Sequence, residues 1–161
     1  QGEIVVRGPQ LLTGYWKNEK AYDESWCEVD GRRFFRTGDL GRTDEDGYFY
    51  ISDRLKRMIN SAGLKVWPAE VEAAMYKHPA IKECCIIASP DERKGETVKV
   101  VVVLKEDFLG KVTGEEILSW SRSQMAAYKA PRLLEFSSAL PRTASGKLMW
   151  RALQEKEFAR P

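Results

Sequence analysis

The chain has 161 residues, enough for one domain with a sizeable core or for a small domain joined to part of another. Its 26 Lys and Arg residues nearly balance 24 Asp and Glu residues, and a net charge of +2 gives no basic surface for nucleic acid. The three cysteines do not have metal-ligand spacing and do not form a disulfide framework, which favours a cytoplasmic protein. The longest aliphatic run, residues 100–104, is too short for a membrane helix.

The first 54 residues are predicted to be rich in β-strands and to lack a buried partner of their own. Two hairpins are indicated by the turn-forming pairs Asp30-Gly31 and Asp46-Gly47. Between them, Thr37-Gly38-Asp39 predicts a turn that presents a carboxylate. The other predictions here are strands at residues 3–7, about 10–16, 38–43 and 47–52, with a short helical link at residues 17–23.

From residue 55 onward the pattern changes to a mixture of helices and strands. Pro68 suits a first helical position and Pro79 stops the helix that it begins. Thr113 and Glu116 have capping-box spacing, and the helix that they begin is expected to run to about Ala127. Strands are predicted at residues 81–89, 97–105 and 133–136, the first two antiparallel, and a last helix at residues 148–158. The pattern predicts a small α+β domain in which helices cover a three-stranded sheet.

Four blocks of this sequence resemble motifs of the adenylate-forming enzyme superfamily, which includes acyl-CoA synthetases, luciferases and the adenylation domains of peptide synthetases. They stand in the family's order and span nearly all of the chain. Residues 36–39 are similar to the RTGD motif, residues 53–56 to the hinge motif, residues 63–72 to the G-x4-PxEVE block and residues 141–147 to the P-[RK]-T-x-[ST]-GK loop.

The resemblance implies a division of the chain into two parts. Residues 1–54 would be the C-terminal end of a large N-terminal adenylation domain, and residues 55–161 the mobile C-terminal domain. Because the chain opens on Gln1 and on a strand with no earlier partner, we expect a fragment that is inactive alone. Residues 128–132 and 141–151 look most like those of bacterial fatty-acid CoA ligases.

Lys147 is the first candidate for chemistry. Spacing alone favours a solvated surface lysine beside a turn glycine. The resemblance implies instead that its ammonium contacts the carboxylate substrate and the α-phosphate of ATP during adenylation. A P-loop is excluded because Leu148 follows the lysine and has no hydroxyl for Mg²⁺.

Asp39 and Arg54 would bind the ribose of ATP if the resemblance holds, Asp39 by accepting hydrogen bonds from both hydroxyls. The alternatives are a plain turn aspartate and a surface ion pair. Lys56 aligns with the family's hinge residue.

Ser61, Ala62 and Gly63 would line the tunnel for the pantetheine arm of CoA. The alternative for Gly63 is a turn glycine with positive φ. Asn60 stands where luciferases carry a lysine for their oxidation step, which argues against light emission.

Three other features have simpler explanations. Residues 44–47 favour a hairpin turn over a calcium loop, because position 12 of such a loop would be Leu55. His78 is expected to lie at a helix end with its hydrogen-bonding groups satisfied. The tryptophans at positions 67, 120 and 150 are expected in the core or at its edge.

The resemblance therefore implies an ATP-dependent acyl-CoA synthetase with ATP, Mg²⁺ and coenzyme A as substrates or cofactors. It would activate a carboxylic acid, expected to be a fatty acid, as acyl-AMP and transfer the acyl group to CoA. Alternatives are an adenylation domain that loads a carrier protein and a non-catalytic module that binds a partner through its sheet edge. A nucleic-acid binder is disfavoured by the balanced charge, and the acyl chain and oligomeric state stay open.

Overall fold

The computed structural model describes residues 2–159, which divide into two compact units. The first unit ends at Lys56 and the second begins at Arg57. Each unit is built on its own sheet.

The first unit is a four-stranded antiparallel sheet in which one long strand pairs with the three others. This central strand carries both of the predicted hairpins. The elements are β1 (Gly2–Val6), α1 (Glu19–Glu24), β2 (Trp26–Val29), β3 (Arg32–Thr43) and β4 (Phe49–Arg54).

Both hairpins of the first unit are confirmed. Asp30 and Gly31 connect β2 to β3 with φ angles of 49° and 69°, the left-handed conformation that a two-residue hairpin turn requires. Residues 44–48 connect β3 to β4, and the Asp44 carboxylate accepts hydrogen bonds from the backbone N–H groups of Asp46 and Tyr48. The Asp44 side chain thus closes the second turn by accepting hydrogen bonds from its backbone.

The strand predicted at residues 10–16 is wrong, because this segment consists of turns and bends. The Leu11 N–H donates to the Gly8 carbonyl at 3.4 Å, and Pro9 has no N–H to donate. Backbone groups that are used within a turn cannot join a ladder. The predicted helical link is confirmed as α1, whose first turn is capped by the side chain of Asn18.

The second unit contains a five-stranded sheet with helices on both faces. Its strand order is β6-β5-β8-β7, and β9 pairs in parallel with β8. The elements are β5 (Ile59–Ser61), β6 (Leu64–Val66), α2 (Pro68–Met75), β7 (Ile81–Asp91), β8 (Gly95–Leu104), α3 (Gly114–Gln124), β9 (Leu133–Phe136) and α4 (Trp150–Phe158).

The three predicted strands and three predicted helices of this unit are all present, but the sheet has five strands rather than three. The two strands that the sequence did not predict, β5 and β6, have three residues each, too few to show an alternating pattern. Helix α3 begins with the predicted capping box between Thr113 and Glu116. Helices α2 and α3 end a few residues earlier than predicted.

Alternate side chains of β7 and β8 point to two separate apolar cores. On one face, Ile86 and its neighbours pack with α2 and α3, with Trp120 against them. On the other face, Ile87 and its neighbours pack with Leu140, and Trp150 of α4 covers them. A sheet that is covered on both faces explains why these strands are continuously apolar rather than alternating.

Among residues 2–159, no helix is long and apolar enough to cross a membrane.

Candidate functional site

Asp39 and Arg54 lie directly opposite each other on β3 and β4. The Arg54 Nε is 2.9 Å from the Asp39 carboxylate, and the arginine side chain is 66% exposed while that of the aspartate is 23% exposed. The sheet therefore brings together the two residues that were predicted to bind a ribose. In this structure they form the surface ion pair that was the alternative for Arg54.

The predicted turn at Thr37-Gly38-Asp39 is wrong: these residues form an irregularity inside the continuous strand β3. The register between β1 and β3 shifts at this point, and Gly38 has a φ of 72°. Such a bulge places extra residues in one strand without ending it. Like a turn, it favours glycine, because glycine adopts a positive φ without steric cost.

Hydrogen bonds from β1 hold the bulge in place. The Thr37 hydroxyl donates to the Ile4 carbonyl at 2.6 Å and accepts from the Asp39 N–H at 3.1 Å. The Glu3 carboxylate accepts from the Gly38 N–H at 3.1 Å and from the Arg36 guanidinium at 2.8 and 3.0 Å. The backbone of Asp39 is thereby tied to β1 through its neighbours.

The environment of the chain changes abruptly after Lys56. Residues Leu55–Arg57 form a single 3₁₀ turn in which Lys56 is exposed. The next residue, Arg57, is 13% exposed in its side chain, and its guanidinium donates to the Glu72 carboxylate and to the Ile86 carbonyl. Arg57 was not predicted from the sequence, because its partners Glu72 and Ile86 are distant in the chain.

Ser61, Ala62 and Gly63 lie at the hairpin between β5 and β6. Ala62 and Gly63 form its two-residue turn with φ angles of 53° and 83°, and both are exposed. Ser61 is buried and pairs with Gly95 of β8, while the Ala62 N–H donates to the Lys94 carbonyl at 3.1 Å. A side-chain atom added to Gly63 would meet nothing within 4 Å, so its backbone is open to an approaching molecule.

Lys147 lies in a closed loop at residues 143–147. Its backbone N–H donates to the Thr143 hydroxyl and its carbonyl accepts from the Thr143 N–H, at 3.1 and 2.8 Å. A bridge between Arg142 and Leu148 closes the loop, and α4 begins at Trp150. The lysine side chain is exposed, and within residues 2–159 its ammonium makes no hydrogen bond or ion pair.

Lys147 and the Ser61–Gly63 turn are anchored to opposite ends of one ladder. Glu83, which binds the Lys147 loop through Arg142, lies near the start of β7. Gly95, which pairs with Ser61, lies opposite Asp91 at the far end. Glu83 and Asp91 are eight residues apart on β7, about 26 Å at about 3.3 Å per residue.

Two buried thiols and the histidine of the second unit are unsuited to chemistry. Burial, with a smaller contribution from the charge of Glu72, raises the pKa of the Cys84 and Cys85 thiols to about 12. Neither is therefore a nucleophile near neutral pH. The His78 pKa is lowered by burial and by the charge of Lys105, and its Nδ1 accepts from the Ala80 N–H as expected of a satisfied helix-end histidine.

The described residues contain no cluster of metal-ligating side chains. No group of three or more His, Cys, Asp or Glu side chains within residues 2–159 is arranged to hold a metal ion. Asp44, the acidic residue that begins the second hairpin turn, instead accepts hydrogen bonds from backbone N–H groups and from the Tyr50 hydroxyl.

The family described as AMP-binding enzyme C-terminal domain matches residues 70–147. The chain is 46% identical over 156 residues to a long-chain-fatty-acid–CoA ligase from Bacillus subtilis (strain 168), covering 97% of this chain and 27% of the relative. It is 43% identical over 149 residues to a feruloyl-CoA synthase from an Amycolatopsis species, covering 92% of this chain and 29% of the relative. The ATP-bound structure of MatB from Rhodopseudomonas palustris matches with a TM-score of 0.86 and 33% identity, over 96% of this chain and 30% of that one.

Proposed function

We propose that the natural protein is an ATP-dependent acyl-CoA synthetase, from the premise that residues 70–147 match the AMP-binding enzyme C-terminal domain family. Since the chain spans 27–30% of the length of its matched relatives, the activity is assigned to the full-length protein. The sequence similarity to a fatty-acid–CoA ligase supports this assignment, and so does the resemblance of residues 141–147 to the superfamily's P-[RK]-T-x-[ST]-GK loop.

The observation that carries the proposal is the separation of the two candidate loops. The Lys147 loop and the Ser61–Gly63 turn are anchored about 26 Å apart along β7, at about 3.3 Å per residue. A rigid second unit cannot present both to one reacting carbonyl in a single pose. Two successive reactions that each use one end of the unit account for this arrangement.

In the first reaction, a carboxylate oxygen of the substrate attacks the α-phosphorus of ATP and pyrophosphate leaves. Lys147 stabilises the negative charge on the reacting oxygens, and an ammonium placed there beforehand acts most strongly once water is excluded. Asp39 accepts hydrogen bonds from the ribose hydroxyls. Arg54 approaches the same ribose, and because its ion pair with Asp39 is exposed, it rearranges at little cost.

In the second reaction, the thiol sulfur of CoA attacks the acyl carbonyl carbon and AMP leaves. The second unit pivots at Lys56, withdrawing Lys147 and bringing the Ser61–Gly63 turn to the adenylate. The open backbone at Gly63 admits the pantetheine arm. Arg57 holds the downstream side of the pivot to the sheet, so that rotation is confined to residues before it.

For the acceptor we favour CoA over a carrier protein, and for the acid a fatty acid over an aromatic acid. The relatives above are named as CoA ligases or synthases, and the one with the higher identity is named for long-chain fatty acids. Supplying the full-length protein with fatty acids or ferulate, and with CoA or a phosphopantetheinylated carrier, tests both choices. Faster turnover of ferulate or faster carrier loading would reverse them.

At one edge of the sheet, that of β7, side chains oppose the alternative of a non-catalytic module that binds a partner by adding a strand. This strand has one neighbour in the sheet, β8, and its outer edge could in principle add a strand. Along that edge, Tyr76, Glu72, Arg57 and Gln154 bond the outward backbone groups of Cys84, Ile86 and Ala88. An incoming strand would have to displace them.

The decisive experiment compares the two half-reactions in the full-length protein. Lys147→Ala should lower ATP–pyrophosphate exchange by about 10²–10³-fold, as expected when one preorganised charge donor is lost. Formation of acyl-CoA from supplied acyl-adenylate should change little, because Lys147 is withdrawn in that step.

Lys156→Ala is the matched control, because it removes an exposed lysine of α4 from the same unit. It should leave both half-reactions unchanged. An undiminished exchange rate in Lys147→Ala would contradict the proposed function and favour the non-catalytic module.

A further inference from the structure

We propose that Arg142 is a positioning residue for Lys147, and that it acts by tying the peptide before the lysine to Glu83 on β7. The inference rests on the proposed role of Lys147 in adenylation. It adds two residues, Arg142 and Glu83, whose side chains orient the reacting ammonium without touching the substrate.

The peptide between Gly146 and Lys147 is held on both of its sides. Its carbonyl, from Gly146, accepts a hydrogen bond from the Arg142 Nη1 at 2.9 Å. Its N–H, from Lys147, donates to the Thr143 hydroxyl at 3.1 Å. Because a peptide group is planar, these two bonds together set the rotation of this plane. The next peptide is held as well, since the Thr143 N–H donates to the Lys147 carbonyl at 2.8 Å, and the two held peptides fix the direction in which the Lys147 side chain leaves the backbone.

The second arm of the same guanidinium reaches the sheet. The Arg142 Nη2 lies 2.7 Å from the Glu83 carboxylate, and Glu83 is paired with Val103 in the ladder between β7 and β8. A guanidinium holds its donors in a rigid planar fork, so one arginine can bind the loop and the strand in fixed geometry. A lysine at this position would carry the same charge without that fork.

The exposure of Arg142 and Glu83 indicates that the main role of this pair is to orient Lys147 rather than to stabilise the fold. Its side chains are 47% and 30% exposed, and ion pairs at such positions contribute little to stability. The base of the loop is closed independently by the Met149 N–H, which donates to the Pro141 carbonyl, and by Leu148 against the core. What the fork adds is a fixed direction for Lys147.

The test measures both half-reactions in the full-length protein with the variants Arg142→Lys and Glu83→Ala. We expect ATP–pyrophosphate exchange to fall about tenfold in each, mainly in kcat, because a displaced ammonium is badly oriented at the transition state. Acyl-CoA formation from supplied acyl-adenylate should stay within about twofold of the unsubstituted rate, because Lys147 does not act in it.

Glu70→Ala is the control, because it breaks another ion pair of the same unit, between Glu70 and Lys129, at 2.5 Å. It should leave the exchange rate unchanged. If Glu83→Ala melts at a much lower temperature, Glu83→Met keeps the length of the side chain without an oxygen acceptor for Arg142 and serves in its place.

The proposal is overturned if Arg142→Lys and the Glu83 variant exchange at the normal rate, or if both half-reactions fall equally. If the proposed function is wrong, the result is different. Lys147→Ala would then catalyse ATP–pyrophosphate exchange no more slowly than the unsubstituted protein.

Discussion

The two units of this chain differ most in how they bury apolar side chains. Within residues 2–56, Leu40 is the one hydrophobic residue in the buried core, and Tyr48, Phe49 and Ile51 are 68–69% exposed. The second unit has an apolar cluster on each face of its sheet. The second unit therefore has a buried apolar core on each face of its sheet, whereas the first exposes large apolar side chains on an open sheet.

The same contrast separates their ion pairs. Arg54 and Asp39 in the first unit are mostly or partly exposed, at 66% and 23%, whereas Arg57 and Glu72 in the second are 13% and 15% exposed. The exposed pair can exchange partners with a ligand at little cost. The less exposed pair also bonds the backbone of Ile86, and its separation would leave the N–H and carbonyl of Ile86 without these partners.

The largest expected difference is in autonomous folding. Residues 57–161, expressed alone, should unfold in a single cooperative transition, because both faces of their sheet are covered. Residues 1–56 should show no cooperative transition, since they lack such a core. Thermal unfolding followed by circular dichroism of the two peptides tests this. A cooperative transition in residues 1–56 would break the contrast.

The reactivity of the cysteines is also expected to differ between the two units. Cys27 of the first unit is half-buried, while Cys84 and Cys85 are buried and their pKa is raised to about 12. Because the thiolate is the reactive form, we expect the last two to alkylate at least about 100-fold more slowly than Cys27 at pH 8. Mass spectrometry of timed alkylation measures the rates, with the unfolded chain as the control. Equal rates in the folded chain would contradict the proposed burial.

Breaking one ion pair in each unit compares their contributions to stability. Glu72→Ala should lower the free energy of unfolding of the second unit by about 3–5 kcal/mol, because the Arg57 charge and the Ile86 N–H lose their buried partner. Arg54→Ala should cost about 0–1 kcal/mol, because solvent screens the exposed pair. Urea unfolding of the two variants measures both. Similar costs would show that burial does not separate the pairs.

The smallest expected effect is a pH dependence confined to the second unit. Its His78 is the chain's single histidine, and burial and the Lys105 charge lower its pKa in the folded state. The unfolded state therefore takes up a proton first as pH falls below the ordinary value of about 6.5, and stability should decline from there toward the lowered folded pKa. Melting temperatures between pH 5 and pH 8 test this.

The matched variant for that measurement is His78→Gln, which cannot take up a proton. It should be less stable at every pH, because the ring contact with Trp120 is lost. Its melting temperature should lack the decline that the histidine causes. An unchanged pH profile in the variant would show that another group is responsible.

Local signals predicted most of the elements. The capping box at Thr113, proline at the first position of α2 and the Asp30-Gly31 turn all act through neighbouring backbone groups, so they are visible in a short stretch of sequence. The same local view failed at Thr37-Gly38-Asp39. A bulge and a turn need the same residue types, and only pairing with β1 distinguishes them.

The candidate site was partly predictable for a related reason. Asp39, Arg54, Lys56 and Lys147 were found through motifs, each a short contiguous pattern. Their supporting partners were not found. Glu83 is 59 residues from Arg142, and no local pattern marks it as the partner of that guanidinium.

By itself, the sequence determined most of the longer elements, their order and the residues that carry chemical groups. The tertiary structure decided which of those groups meet: Asp39 with Arg54 across a strand pair, Arg57 with Glu72 beneath the sheet edge, and Arg142 with Glu83 beside the Lys147 loop. The physical reason is that helix caps and turns depend on backbone groups a few residues away. Contacts between distant residues depend instead on strand register and on how both faces of the sheet are packed.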